Sequence, residues 1–277
     1  MLDFNLKVYR DLLETLISQD YLFIKFSKYV EKSEVVDISS EIILRHDVEQ
    51  NYENALQFAI IQNQLGIIGT YFFRILPKHF KKDIVKQIAD LGHEIAYHYD
   101  DLSECNGDYE KAIIRFRKNL NILRNIAPVK AICMDGSPLS SHDNKNLWKT
   151  YNYKDFGIIG EPYFNLDFNQ FFYLTDTGRR WDGWKTSVRD KVPQQEKWNK
   201  EGLFFHSTND IINAANQGTL PDKIMMTFHP QRWHDSSLPW IKELILQNAK
   251  NVVKSMLVKS RSGKKMGTIE TEEKEGL

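Results

Sequence analysis

Acid and imidazole side chains close three strand-like runs of this sequence, at residues 42–49, 93–98 and 225–229. In parallel barrels and open α/β sheets, the carboxyl ends of strands converge on one face, where binding and chemistry take place. Carboxylate and imidazole groups brought together there can act as general acids and bases or hold a metal ion. The side chains concerned are Asp47, Glu49, His98 and His229.

The first run offers two carboxylates on one side of a strand. Side chains alternate along a strand, so Asp47 and Glu49 point to one face and His46 to the other. The two acids can divide the work, one as a general base and the other as a metal ligand. The alternative is that Asp47 caps an element and Glu49 lies on the surface.

The other strand ends add candidates at the same level. His98 ends its strand and is expected to be a ligand, whereas His93 begins that strand and is expected to make structural hydrogen bonds. Asp135, before Gly136, is either a turn residue or part of the same group of polar side chains at the strand ends, which would form the mouth of a barrel. His229 is expected to be a general acid or a ligand, or else a loop histidine with ordinary partners.

A segment rich in Trp, Arg, Asp and Gly runs from about residue 177 to 200 and is expected to be a long ordered loop. Long loops in compact domains are often functional. Its indole rings can stack on sugars, and its Arg–Asp pairs can fix a catalytic carboxylate or histidine. The alternative is an ion-pair network that only closes the barrel.

Strands and helices alternate along the chain, which is typical of βαβ units and a parallel sheet. About seven strands are expected after residue 40, and glycines at 66 and 92 end two helices. Predicted strands are 42–47, 68–73, 94–99, 130–134, 156–159, 171–174 and 224–228. Predicted helices are 5–19, 51–65, 78–91, 108–126, 208–215 and 239–258.

The chain is expected to divide into three parts. Residues 1–39 form a helical and strand extension packed on the barrel, residues 40–258 form the barrel domain, and residues 259–277 form a polar tail. The tail is expected to be disordered because it lacks apolar periodicity.

The overall composition argues against several classes of protein. Lys+Arg and Asp+Glu both number 37, and this balance argues against a nucleic-acid binder. The N-terminus does not resemble a signal peptide, and no run approaches the roughly 18 apolar residues of a membrane span. We therefore expect a cytoplasmic protein, and the two cysteines give neither a disulfide framework nor a Cys-x-x-Cys metal site.

The order of these motifs resembles the polysaccharide deacetylase (NodB homology) superfamily, related to carbohydrate esterase family 4, over residues 40–255. Asp47-Val48-Glu49 resembles its first motif, Asp-x-Asp. Residues 92–98 resemble Gly-His-Glu-Ile-Gly-x-His, with Leu102 at the place of a further His ligand. Residues 227–229 resemble the last motif, Leu-x-His. The strings 44–49 and 229–233 look like a divergent branch found among bacterial surface-polysaccharide genes.

The resemblance implies a distorted (β/α)7 TIM-like barrel that hydrolyses an acetamide on a sugar or another non-peptide C–N bond. It implies Asp47 as base, His229 as acid, and Arg180 with Asp182 as groups that orient the base. It also implies a divalent metal, most often zinc, on Glu49 and His98. Asp135 is proposed as a third ligand because it ends its strand at the same level as Asp47 ends the first strand.

The substrate is expected to be a sugar or saccharide intermediate. Side chains expected to contact it are Arg45, Tyr99, Trp181, Arg232 and Trp233. Two other functions remain open: a barrel that binds saccharide or a partner after losing its metal, and a hydrolase of a different amide or imide. The oligomeric state is left open.

Overall fold

The computed structural model describes residues 2–31, 40–183 and 187–272, with side chains described up to residue 256. Seven strands form in these residues: β1 Leu22–Ile24, β2 Glu41–Val48, β3 Thr70–Phe73, β4 Glu94–Tyr99, β5 Ile132–Met134, β6 Phe172–Thr175 and β7 Lys223–Phe228. Ten α-helices accompany them in the same residues: α1 Leu6–Ser18, α2 Phe26–Glu31, α3 Tyr52–Gln64, α4 Lys82–Asp90, α5 Asp101–Glu104, α6 Tyr109–Arg124, α7 Pro162–Asn165, α8 Gln195–Lys200, α9 Thr208–Asn216 and α10 Ser237–Glu272.

All strand pairings are parallel, and the strands follow the order β5-β4-β3-β2-β7-β6. β1 pairs with the first half of β2, next to the half that pairs with β3. All eight residues of β2 are buried, as expected for a central parallel strand covered on both faces. The sheet is a curled half-barrel, and the predicted α/β barrel class is confirmed.

The barrel is distorted where β5 and β6 would meet. These two strands do not pair among the described residues, and the chain around α7 occupies the interval between them. Gly160 makes a lone parallel bridge to Ala131 beside β5, and the Tyr163 hydroxyl lies 3.5 Å from that of Tyr173 on β6. The gap is therefore bridged by side chains and a short helix rather than by a strand.

Local signals explain several helix ends. Asp108 caps α6 by accepting a hydrogen bond from the Lys111 amide. Ser207 and Asp210 form a capping box at the start of α9. α6 packs against β4, and α9 packs against α1.

Three expectations about elements need correction. Six strands, not seven, follow residue 40 in the described part of the chain, and β1 from the N-terminal extension completes the sheet. Residues 156–159 do not form a strand, because Tyr153–Phe156 is a 3-10 helix ended by Gly157 at φ +67°. The tail expected to be disordered continues α10 as far as Glu272, in a segment that has no proline and contains several Lys, Arg and Glu residues, which favour helix.

The N-terminal extension is part of the barrel wall. Residues on one face of α1 are fully buried and contact α9 and α3, and β1 lies in the sheet itself. No helix among the described residues is long and apolar enough to cross a membrane.

Candidate active site

A cavity of about 670 Å³ opens at the carboxyl ends of the central strands. Its walls come from the ends of β2, β4, β5 and β7, from the loops around residues 136–140 and 187–190, and from α10. Five of the predicted catalytic or metal-binding residues line this cavity: Asp47, Glu49, His98, Asp135 and His229. Parallel strands bring them together at one level, as the strand-end pattern predicts.

Asp47 is held by the arginine two residues before it. Arg45 and Asp47 lie on the same face of β2, and Arg45 donates from Nε to Oδ1 at 2.8 Å and from Nη2 to Oδ2 at 2.6 Å. Both side chains are almost completely buried. This two-point contact fixes the plane of the carboxylate.

Glu49, His98 and Asp135 form a candidate metal site. One ligand atom from each residue lies within 4.8 Å of the other two. The His98 Nε2 atom is 3.7 Å from Asp135 Oδ2 and also 3.7 Å from Asp47 Oδ2. One imidazole and two carboxylates are donors that zinc, manganese and cobalt accept, and three protein ligands leave positions open for catalysis.

Neighbouring groups orient these donors. His98 Nδ1 lies 3.1 Å from the carbonyl oxygen of Cys133, to which it donates, so Nε2 presents its lone pair to the cavity. Asp135 Oδ1 accepts 2.7 Å hydrogen bonds from the amide and hydroxyl of Ser137, so Oδ2 faces His98. Burial alone would raise the pKa of Asp135, but Arg74, His98 and Ser137 outweigh it and hold that pKa below its usual range.

Leu102 lies in the core and not at the cavity. It is 1% exposed on α5 and packs with the buried apolar residues. Asp135, from the end of the adjacent strand β5, takes up a position beside His98 instead. The donor set can therefore be complete without a histidine at position 102.

His229 is paired with a carboxylate that the sequence analysis did not single out. Its Nδ1 atom lies 2.5 Å from Asp176 Oδ1, and its Nε2 atom faces Asp47 Oδ2 at 4.0 Å. Asp176 also accepts hydrogen bonds from the His229 amide and from Trp233 Nε1. Burial alone would raise the pKa of Asp176, but His229 and Arg232 outweigh it and hold that pKa below its usual range.

Asp190 adds a further carboxylate to the cavity wall. The hydroxyls of Tyr163, Tyr173 and Thr177 donate to it, and Arg45 Nη1 lies 4.0 Å away. Burial alone would raise the pKa of Asp190, but Arg45, His229 and the hydrogen bonds from Tyr163 and Tyr173 outweigh it and hold that pKa below its usual range.

Arg180 and Asp182 do not orient Asp47. They pair with each other, and Asp182 also contacts His206 Nδ1 at 3.2 Å. Arg45 already occupies both oxygens of Asp47, because strand alternation places the two side chains next to each other on β2. The predicted orienting role therefore belongs to Arg45.

The three aromatic residues expected to contact substrate are buried elsewhere. Tyr99 is on the opposite face of β4 from His98 and packs edge-on against Trp148. Trp181 donates to the Thr208 hydroxyl and contacts Phe228. Trp233 is 1% exposed and donates to Asp176. Of the predicted substrate contacts, Arg45 and Arg232 do line the cavity.

Only part of this site had a recognisable signal in the sequence. Asp176 directly follows β6, so the strand-end pattern that pointed to Asp47 applies to it as well. Asp190 lies outside the regular elements, and its contacts with Arg45 and Tyr163 depend on long-range packing. No local sequence pattern predicts that such a residue lines the site.

No protein-family profile and no curated protein match the chain. Several of the solved structures that match it are described as members of carbohydrate esterase family 4, the family that the sequence motifs resemble. The catalytic domain of a peptidoglycan N-acetylglucosamine deacetylase from Eubacterium rectale is 13% identical with a TM-score of 0.44, and the match covers 80% of this chain and 90% of that one. A family 4 carbohydrate esterase from Bacillus anthracis is 13% identical with a TM-score of 0.39, covering 90% and 85%.

A third match is a mutant of a family 4 pseudoenzyme with restored enzymatic activity. It is 12% identical with a TM-score of 0.41, and the match covers 79% of this chain. This chain spans 64% of that protein's length, which is less than two thirds. The strand order and the side-chain geometry of this chain, rather than these matches, define its fold and its site.

Proposed function

We propose that the protein is a metal-dependent hydrolase that removes an N-acetyl group from a sugar or saccharide intermediate. One observation carries the proposal: a buried carboxylate, Asp47, lies between a possible metal site and the His229–Asp176 pair. This arrangement puts a base, an acid and a place for a Lewis acid around one cavity. The motif order that resembles polysaccharide deacetylases supports the same reaction.

The chain's own residues account for both proton transfers. Asp47, fixed by Arg45, accepts the proton of the attacking water. His229 Nε2 faces the same space and donates a proton to the departing nitrogen, while its Nδ1 is held by Asp176. Hydrolysis then yields acetate and a free amino sugar.

Glu49, His98 and Asp135 would hold the cation, and we propose zinc because nitrogen and oxygen donors with open positions suit it. Such a cation supplies a Lewis acid that polarises the acyl oxygen and acidifies water.

The test is the Asp47→Asn variant, assayed for acetate release from N-acetylated mono- and oligosaccharides after reconstitution with zinc, manganese or cobalt. We expect kcat to fall by about 10²-fold or more, because general-base assistance is lost. Asp83→Asn, at an exposed position on α4, is the control and should keep the wild-type rate. Metal analysis should give the same stoichiometry in both variants, and a lower one in Glu49→Gln.

Other results would select a different function. An unchanged rate in Asp47→Asn would show that another group is the base. A protein that binds no metal and turns over no substrate would be a non-catalytic saccharide-binding barrel. Hydrolysis of small cyclic amides without any acetate release would indicate a different C–N hydrolase.

A further inference from the structure

One wall of the cavity is a helix face that carries two unengaged lysines. Lys250 and Lys254 lie one turn apart on α10, and both line the cavity. Neither forms a hydrogen bond or ion pair with a described residue. The arginines of the opposite wall are engaged, Arg45 by Asp47 and Arg74 by Asp100.

The surroundings of Lys254 leave its charge poorly compensated. Burial and the nearby Arg232 lower the pKa of Lys254 to about 8, and Lys250 acts in the same direction. Glu49 and Asp190 favour the charged form but do not offset this. A negative group placed beside Lys254 would relieve the repulsion.

Three buried polar side chains on the same side have hydrogen-bonding capacity that no described residue fills. Gln231, Arg232 and Gln247 are 8%, 6% and 4% exposed, and all three line the cavity. Both amide atoms of Gln231, the Nε atom of Arg232 and the Oε1 atom of Gln247 have no partner among the described residues. Buried groups of this kind are normally paired, so the cavity is built for a polar ligand.

We propose that this wall is an anion subsite in which Lys254, with Lys250 and Arg232, binds a phosphate or carboxylate carried by the saccharide substrate. Gln231 and Gln247 bind hydroxyl groups of the same molecule. The subsite rests on the proposed function, since it places the charged part of the substrate in the cavity that contains Asp47 and His229. The substrate class is therefore an acidic N-acetylated saccharide rather than a neutral polymer.

The test measures binding by calorimetry with the full chain carrying Asp47→Asn, so that no probe is consumed. The probes are methyl N-acetylglucosaminide, N-acetylglucosamine 1-phosphate and methyl glucuronide. We expect one of the two charged sugars to bind about 10- to 100-fold more tightly than the neutral one, the range for a hydrogen bond between charged groups. The preferred probe tells phosphate from carboxylate.

Substitutions on α10 assign the preference to residues. Lys254→Met should reduce it to near unity, and Lys254→Arg should retain most of it, because the charge remains. Lys242→Met is the matched control, since Lys242 is exposed on the same helix and does not line the cavity. Equal melting temperatures for the lysine variants would show that a folding defect does not cause the loss of preference for the charged sugar.

The subsite is refuted if the neutral sugar binds as tightly as both charged ones, or if Lys254→Met keeps the full preference. Its failure is separable from that of the proposed hydrolase. A Lys254-dependent preference without acetate release supports the subsite alone. Acetate release by wild-type protein from neutral and charged sugars at equal kcat/KM, with equal affinities, supports the hydrolase alone.

Discussion

Three buried aspartates at or beside the mouth have the same side chain, and their different partners support the different tasks that we propose for them. Asp47 is clamped by Arg45 and keeps His98 and His229 within 4.0 Å. Asp135 is held by Ser137 on one oxygen and turns the other to His98. Asp176 is satisfied by His229 and Trp233 and does not line the cavity. Base, ligand and orienting group are thus distinguished by hydrogen bonds.

Asp176 is expected to act through His229, which gives a prediction at the scale of one residue. Asp176→Asn should lower kcat at least about tenfold, because a neutral amide no longer fixes the imidazole tautomer or stabilises its charged form. KM and metal content should change little, since Asp176 does not itself line the cavity and contacts none of the candidate metal ligands. Steady-state kinetics with metal analysis checks this split.

Asp182→Asn is the matched comparison, because Asp182 is also buried and lies in the same loop. The motif resemblance assigned Asp182 an orienting role, whereas the structure pairs it with Arg180 and His206. An unchanged kcat in Asp182→Asn together with a loss in Asp176→Asn supports the structural assignment. The opposite pattern would restore the role given by the resemblance.

At this scale, alternation along strands was the informative rule. It correctly placed Asp47 and Glu49 on the side that faces the cavity, although β2 ends at Val48 and Glu49 lies one residue beyond it. The strand-end rule brought His98 and Asp135 to the same level. Neither rule predicts which side chains form hydrogen bonds or ion pairs with residues distant in the sequence. The contact between Asp176 and His229 spans 53 residues, and no local pattern encodes it.

The helix α10 is the element that turns an open sheet end into a cavity. Its face with Gln247, Lys250 and Lys254 forms one wall, and the loop after β6 holds it in place. Arg179 stacks on Trp240 at 4.1 Å and donates to its carbonyl at 2.7 Å. Asn251 donates to the Gly178 carbonyl at 2.9 Å. Together with the hydrogen bond from Trp240 Nε1 to the Asp3 carbonyl, these contacts with the loop position the wall.

A pair of glycine substitutions tests this docking. Gly178 and Gly66 have φ of +74° and +70°, so alanine is strained at both by about 1–2 kcal/mol. A Cβ on Gly66 meets nothing, whereas one on Gly178 displaces the Asn251 amide and breaks its hydrogen bond. Gly178→Ala should therefore cost about 1 kcal/mol more than Gly66→Ala. Urea unfolding of both variants checks this difference, and equal costs would show that the Asn251 contact contributes nothing.

Helices and strands with strong periodicity were predictable, and the joints between them were not. β4 was predicted with its observed bounds, and α3 and α6 to within two residues at each end. α7 and α8 were missed because each is under two turns long and carries no clear periodicity. β1 joins the sheet by pairing with β2, and a run of three residues is too short to predict that pairing.

At the scale of the whole molecule, burial shifts the pKa values of two acids and two histidines in opposite directions. Burial raises the pKa of Glu161 and of Asp101 to about 7, despite hydrogen bonds to Glu161 and the charge of Arg115 beside Asp101. Burial lowers the pKa of His46 to about 3 and of His93 to about 4. All four side chains lie away from the cavity wall.

The two pairs act on stability with opposite sign. Between roughly pH 4.5 and 6, the folded chain keeps protons on Glu161 and Asp101 that the unfolded chain releases, so these groups make stability fall as pH rises. In the same window the unfolded chain takes up protons on His46 and His93 that the folded chain does not, so the histidines make stability rise with pH. These four contributions cancel one another, and the lowered pKa of His234 adds a rise of stability with pH in the same window.

Glu161→Gln should expose this balance. Removing one acid takes away one proton that only the folded chain keeps, so the slope of the free energy of unfolding against pH should exceed that of wild type by about 1.4 kcal/mol per pH unit between roughly pH 4.5 and 6. The slope is the readout, because a weakened hydrogen bond from the Met134 or Tyr163 amide shifts stability equally at every pH. Glu110→Gln, exposed on α6, is the control and should show the wild-type slope. A wild-type slope in Glu161→Gln, measured by urea unfolding at several pH values, would mean that Glu161 is ionised in the folded chain.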